Sequence, residues 1–134
     1  MKQLKHVVGY LPYNLLIYDK VVKNEFVALE FITSHNQVDE FGFGNNLHQL
    51  LKDDELLLVL RPMCDLFNNE FLYIWNKELD TESLEILIEK PYDREFIQFY
   101  KFSSSFMDEI YKNHFDFYGL IEKGQAININ TLEL

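Results

Sequence analysis

The sequence predicts an α+β fold in which a small mixed or antiparallel sheet is packed by one long C-terminal amphipathic helix, within a single domain spanning residues 1–134. Three observations carry this expectation. At 100° per residue, Phe106, Met107, Ile110, Tyr111, His114, Phe117, Tyr118 and Ile121 fall within an arc of about 140°, with Asp108, Glu109, Lys112, Asp116 and Lys123 opposite. Leu56 to Leu60 is an apolar run closed by Arg61 and Pro62, which reads as a central strand ending where proline removes a backbone donor. Ile127 and Ile129 alternate with Asn128 and Asn130, the period of a strand with one buried face.

Taken in order, Val7 to Asn14 carries Gly9 and Pro12 and is expected to be irregular. Leu15 to Tyr18 is a short strand, and Asp19-Lys20 a turn. Phe26 to Ile32 is β-branched and aromatic enough for a second strand, completing an early hairpin. Ser34 to Asn46 is the longest loop, with Phe41 and Phe43 as a candidate binding tip. Leu47 to Leu51 is a helical turn ended by Asp53, Asp54 and Glu55. Asn68 to Glu70 is a turn, and Phe71 to Trp75 a further strand.

For Leu84 to Glu89 two readings stay open: Leu84, Ile86 and Ile88 alternate with Glu85 and Glu89 as in a strand, while Leu87, a Thr81 cap and Pro91 suit a short helix. Phe96 to Phe102 is extended. Ser105 with Asp108 fits a capping box for the last helix, and Gly124 a left-handed stop behind it.

Composition bounds the class. With 48% hydrophobic and 16% aromatic residues the chain has the means for a core, and only five Gly and three Pro leave no linker to divide it. The single Cys64 excludes an internal disulfide and a multi-cysteine zinc site. Residues Met1 to His6 lead into no long apolar run, so a cytoplasmic protein without signal peptide or membrane contact is expected. Twelve Lys and Arg face 22 carboxylates, giving a net charge of −10. Direct binding to nucleic acid is therefore disfavoured, and a basic protein is the natural partner.

Candidate chemistry is sparse. Gly42 and Gly44 make a G-x-G without a third glycine or a following Lys-Ser or Lys-Thr, so there is no phosphate loop. Neither paired helical histidines nor a Gly-x-Ser-x-Gly elbow is present. Asp53, Asp54 and Glu55 are consecutive, so their side chains diverge into a solvated turn. His114, on the apolar stripe, is read as a core histidine bonded to backbone. Cys64 is read as a small buried hydrophobe, a nucleophile only if a histidine folds against it. No catalytic residue, metal site or cofactor is assigned. The run Glu78 to Glu95 stands out: Glu78, Asp80, Glu82, Glu85, Glu89, Asp93 and Glu95 against Lys90 and Arg94 leave five net negative charges, half of the total. These seven carboxylates are the candidate partner-binding surface.

The end of the chain, His114-Phe115-Asp116-Phe117-Tyr118-Gly119-Leu120-Ile121-Glu122-Lys123-Gly124 followed by Ala126-Ile127-Asn128-Ile129-Asn130-Thr131-Leu132, resembles the C-terminal signature of small proteins carried by phages and prophages of Bacteroidetes-type bacteria. Leu60 to Leu66 and Tyr10 to Tyr13 resemble further stretches of that group, although Met63 and Cys64 stand where it has leucine and serine. No activity carries over from the resemblance. It implies mobile-element origin, and with it an inhibitor of the anti-CRISPR kind whose partner is a basic host protein such as a CRISPR effector nuclease, inside the bacterial host cell. The alternative is a phage accessory or assembly subunit that acid residues merely keep in solution.

Overall fold

The computed structural model describes residues 2–33, 45–89 and 103–132. Its centre is strand β3, Leu56–Leu60, all five residues of which are buried. Successive side chains of a strand point to opposite faces, so burial of every residue means that both faces of β3 are covered. The sheet is mixed, in the order β2-β1-β3-β4. Strands β1 (Leu16–Asp19) and β2 (Asn24–Val27) form an antiparallel hairpin with Ile17 opposite Phe26, and β1 pairs antiparallel with β3, Ile17 facing Leu58. Strand β4 (Ala126–Asn128) runs parallel to β3, with Leu58 paired to Ala126. The hairpin turn is made by Asp19, whose Oδ1 accepts the N–H of Val21 at 2.8 Å.

Several short expected strands are helices instead. The segment expected as one strand from Phe26 to Ile32 leaves the sheet at Val27 and becomes helix α2, Ala28–Thr33. Ala28, Phe31 and Ile32 turn inward while Leu29 and Glu30 are exposed, a spacing of three and four that an evenly apolar run conceals. Likewise Phe71 to Trp75 is not a strand. A 3-10 turn, Asn69–Phe71, leads into helix α4, Leu72–Trp75, burying Phe71, Ile74 and Trp75; the Trp75 indole N–H reaches Leu66 O at 2.6 Å. Leu84 to Glu89, ambiguous in sequence, belongs to helix α5, Thr81–Glu89, which buries Leu84 and Leu87.

The N-terminal stretch is also more regular than expected: helix α1, Leu4–Val7, runs into a 3-10 helix, Val8–Tyr13, closed by Asn14 at φ 57°. Gly9 is required there by space, since a Cβ would stand 2.5 Å from the Tyr111 ring. Helix α3, Asn45–Lys52, ends where the buried Lys2 donates from Nζ to Leu50 O at 3.0 Å and Asp53 O at 2.8 Å. A cation on the last carbonyls complements the helix dipole.

The single long C-terminal helix is the main correction. Helix α6 spans only Ser104–Lys112, and its cap is Ser103, whose Oγ accepts the Phe106 N–H at 3.2 Å; Ser105 lies inside the helix. Asn113 closes it by donating from Nδ2 to Glu109 O, and His114 then adopts φ 59°. That left-handed residue turns the chain back to the end of β3, where Arg61 N–H meets His114 O and Asp116 N–H meets Arg61 O, each at 2.7 Å. Phe115 to Leu120 are six consecutive buried residues. A surface helix buries one stripe, so only a segment threading the interior satisfies this burial. Gly124 does take the expected left-handed geometry, φ 74°, but it closes a turn before β4.

Candidate functional site: the acidic face of α5

Five of the seven carboxylates singled out in sequence, Glu78, Asp80, Glu82, Glu85 and Glu89, lie among the described residues, and all five are exposed. Asp93 and Glu95 lie outside the described residues, as do Phe41 and Phe43 of the expected loop tip.

Two of the five have local structural work. Asp80 Oδ1 accepts the Ser83 N–H at 2.7 Å and so caps the first turn of α5. Hydrogen bonds from the Ser83 side chain and backbone favour the charged form and hold the Asp80 carboxyl below the usual range. Glu78 accepts a hydrogen bond from Ser103, the cap of α6, and thereby joins the starts of two helices.

Glu82, Glu85 and Glu89 differ. None has a side-chain hydrogen bond or ion pair among the described residues. At 100° per residue they lie within an arc of about 60°, opposite the buried Leu84 and Leu87. No Lys or Arg occurs between Glu78 and Glu89. Ile86, 53% exposed, sits at the edge of the same arc.

Glu82 lies in the first turn of α5, where an anion suits the helix dipole, but the other placements work against the helix. Glu82–Glu85 and Glu85–Glu89 are like-charge neighbours at i,i+3 and i,i+4, each unfavourable by about 0.2–0.5 kcal/mol. Glu89 also lies in the last turn, which holds no basic residue and where the helix dipole disfavours an anion.

The remaining candidates are placed as follows. His114 donates its Nε2–H to Tyr13 O at 2.6 Å, the backbone partner expected of it, though from a turn and not from a helix face. Burial lowers its pKa, opposed by the Tyr13 hydrogen bond and assisted by nearby Arg61. Cys64 is exposed, contrary to expectation, because it falls on the outer side of a 3-10 helix, Met63–Phe67, that buries Met63 and Leu66. The residues around its cleft include no histidine.

Asp53 Oδ1 caps the turn before β3 by accepting Glu55 N–H at 2.9 Å, and Asp54 and Glu55 are exposed. A hollow of about 530 Å³ is lined by residues 75–81 alone, a single run that brings no distant groups together. Among the described residues no group of three His, Cys, Asp or Glu could hold a metal ion, and no helix is long and apolar enough to cross a membrane.

Asp116 is the carboxylate that helical periodicity misplaced. It is 5% exposed, and its oxygens accept the N–H groups of Leu120 at 2.7 Å and Ile121 at 3.0 Å. The signal for it is Asp116 with Gly119 three residues on, residue types favoured at the two ends of a β-turn; Gly119 N–H donates to Asp116 O and Gly119 takes φ 71°. A scan of protein-family models, a search of curated proteins and a search of solved structures each found no match.

Proposed function

We propose that this chain acts by binding, and that it inhibits a basic, nucleic-acid-handling protein by offering carboxylates where that partner otherwise meets phosphates. The observation that carries the reading is the unpartnered triad Glu82, Glu85 and Glu89 on one face of α5. Three like charges set close together, repelling one another along the helix, are accounted for by a cationic surface that would neutralise them. Complementary charge also speeds encounter, and the effect weakens with salt. The anti-CRISPR type of inhibitor, with a CRISPR effector nuclease as partner, is the form of this reading that the resemblance to phage and prophage proteins favours.

A pull-down from the bacterial host, eluted by increasing salt, tests it. The expected result is a basic nucleic-acid-handling protein that is released as ionic strength rises. Recovery of virion proteins with no salt dependence would overturn the reading in favour of an assembly subunit.

A further inference from the structure

Beside the acidic face lies a cleft of about 220 Å³, between the 3-10 helix Met63–Phe67, the turn after Asp116 and the C-terminal end of α5. Pro62, Met63, Cys64, Ile88 and Ile121 form walls that are largely apolar, and Glu122 stands at the cleft as well. The buried Asp116 carboxylate also borders it, but its oxygens are already held by the Leu120 and Ile121 N–H groups. Small-molecule sites usually enclose about 300–1,000 Å³, so this space suits one side chain better than a metabolite.

The cleft and the acidic face share a helix. Ile88 has Glu85 as its i−3 neighbour, within about 6 Å on a helix surface, and Glu89 follows it directly. Glu85, Glu89 and Glu122 are all exposed, with Lys123 the cation next in sequence to Glu122. An apolar recess edged by carboxylates is complementary to an apolar side chain flanked by cations.

We infer that this cleft anchors one apolar side chain of a basic partner segment, with Lys or Arg residues on either side of it meeting Glu85, Glu89 and Glu122. The inference rests on the proposed role of the α5 face and adds where on that face the partner is held. A buried anchor within a charged surround is the usual form of a binding hot spot.

The test is an NMR titration of the full chain, ¹⁵N-labelled, with two probe peptides: a leucine between two pairs of lysines, and the same peptide with serine in place of leucine. The leucine peptide should shift the amide signals of Cys64, Ile88 and Ile121 and bind roughly tenfold more tightly than the serine peptide, as burial of much of an aliphatic side chain gives. Cys64→Phe, which fills the cleft from an exposed position, should abolish that difference while leaving serine-peptide binding unchanged. N-ethylmaleimide on the folded protein's Cys64 should do the same without any substitution. Equal binding of the two peptides, with shifts confined to α5, would overturn the anchor and leave the acidic-face reading standing. Failure of the leucine peptide to shift the cleft signals at all would also overturn the anchor, whatever the host pull-down returns.

Discussion

In the turn Phe115–Ile121 the carboxylate of Asp116 is buried and held by two backbone N–H groups, whereas along Glu78–Glu89 five carboxylates stand in solvent and three of them touch no partner among the described residues. Both regions contribute equally, charge for charge, to the net −10 of the chain. They differ in what neutralising one carboxylate would do. At Asp116 it would weaken the two backbone hydrogen bonds that hold the turn. On α5 it would relieve repulsion. The comparison teaches that acidity in this molecule has two separate causes, one conformational and one at the surface, which composition cannot tell apart.

The largest effect should come from the buried side. Asp116→Ala removes the acceptor of the buried Leu120 N–H, worth about 1–3 kcal/mol when left unsatisfied, and of the half-buried Ile121 N–H, worth less, so a loss of roughly 2–4 kcal/mol is expected. Urea denaturation checks it, and a loss below about 1 kcal/mol would erase the contrast with α5.

Next in size is Gly9→Ala. The new Cβ would meet the Tyr111 ring, whose hydroxyl bonds that of Tyr118 at 2.6 Å, and the resulting shift should cost about 1–3 kcal/mol. An unchanged thermal midpoint would mean that the Tyr111 ring moves aside freely and that the packing behind the turn is loose.

A smaller, pH-dependent effect belongs to His114. Its pKa is lowered in the folded state, chiefly by burial, so the unfolded chain takes up the proton first as pH falls through about 6.5. The stability that the neutral ring contributes is fully present above that value and is lost as pH falls from it towards the folded pKa. His114→Asn keeps a residue tolerant of positive φ, so the stability gap between the wild type and this variant should narrow from pH 8 to pH 5. A gap that widens on acidification would reverse the sign.

These contrasts show which features a linear reading can reach. The centre of the sheet is legible because Leu56–Leu60 is uninterruptedly apolar and stops at Arg61-Pro62, and the hairpin from Asp19-Lys20; the strand expected from the Ile127–Asn130 alternation is present only as Ala126–Asn128, since Ile129–Thr131 turns into a 3-10 helix and Ala126 is the buried residue. Helices α2 and α4 are not, because Phe26–Ile32 and Phe71–Trp75 are so apolar and aromatic that propensity favours a strand while the buried positions follow a spacing of three and four. The long C-terminal helix failed for another reason. The apolar residues from His114 to Ile121 fit a helical stripe, yet Asn113 and a left-handed His114 end the helix, and burial of every residue from Phe115 to Leu120 is a tertiary fact. Of the candidate site, the acidic run is plain in the sequence. The cleft at Cys64 is not, because its walls come from three segments that only the turn at Asp116 brings together.

The proposal is that Glu82, Glu85 and Glu89 face a basic partner and that their net contribution to the fold is small. Its most direct test replaces Glu82, Glu85 and Glu89 together by Gln, with Asp53, Asp54 and Glu55 changed to Asn, Asn and Gln as a control of equal charge, and measures association rates with the partner recovered from the host at low and physiological salt. The α5 triple should stay within a few tenths of a kcal/mol of the wild type, lost like-charge repulsion being offset by loss of the Glu82 charge from the first turn. It should associate about tenfold or more slowly at low salt, with the difference shrinking as salt rises, while the control stays close to wild type. Equal slowing in the two triples, or none in either, would contradict the account and leave the acidic face as a solvated surface.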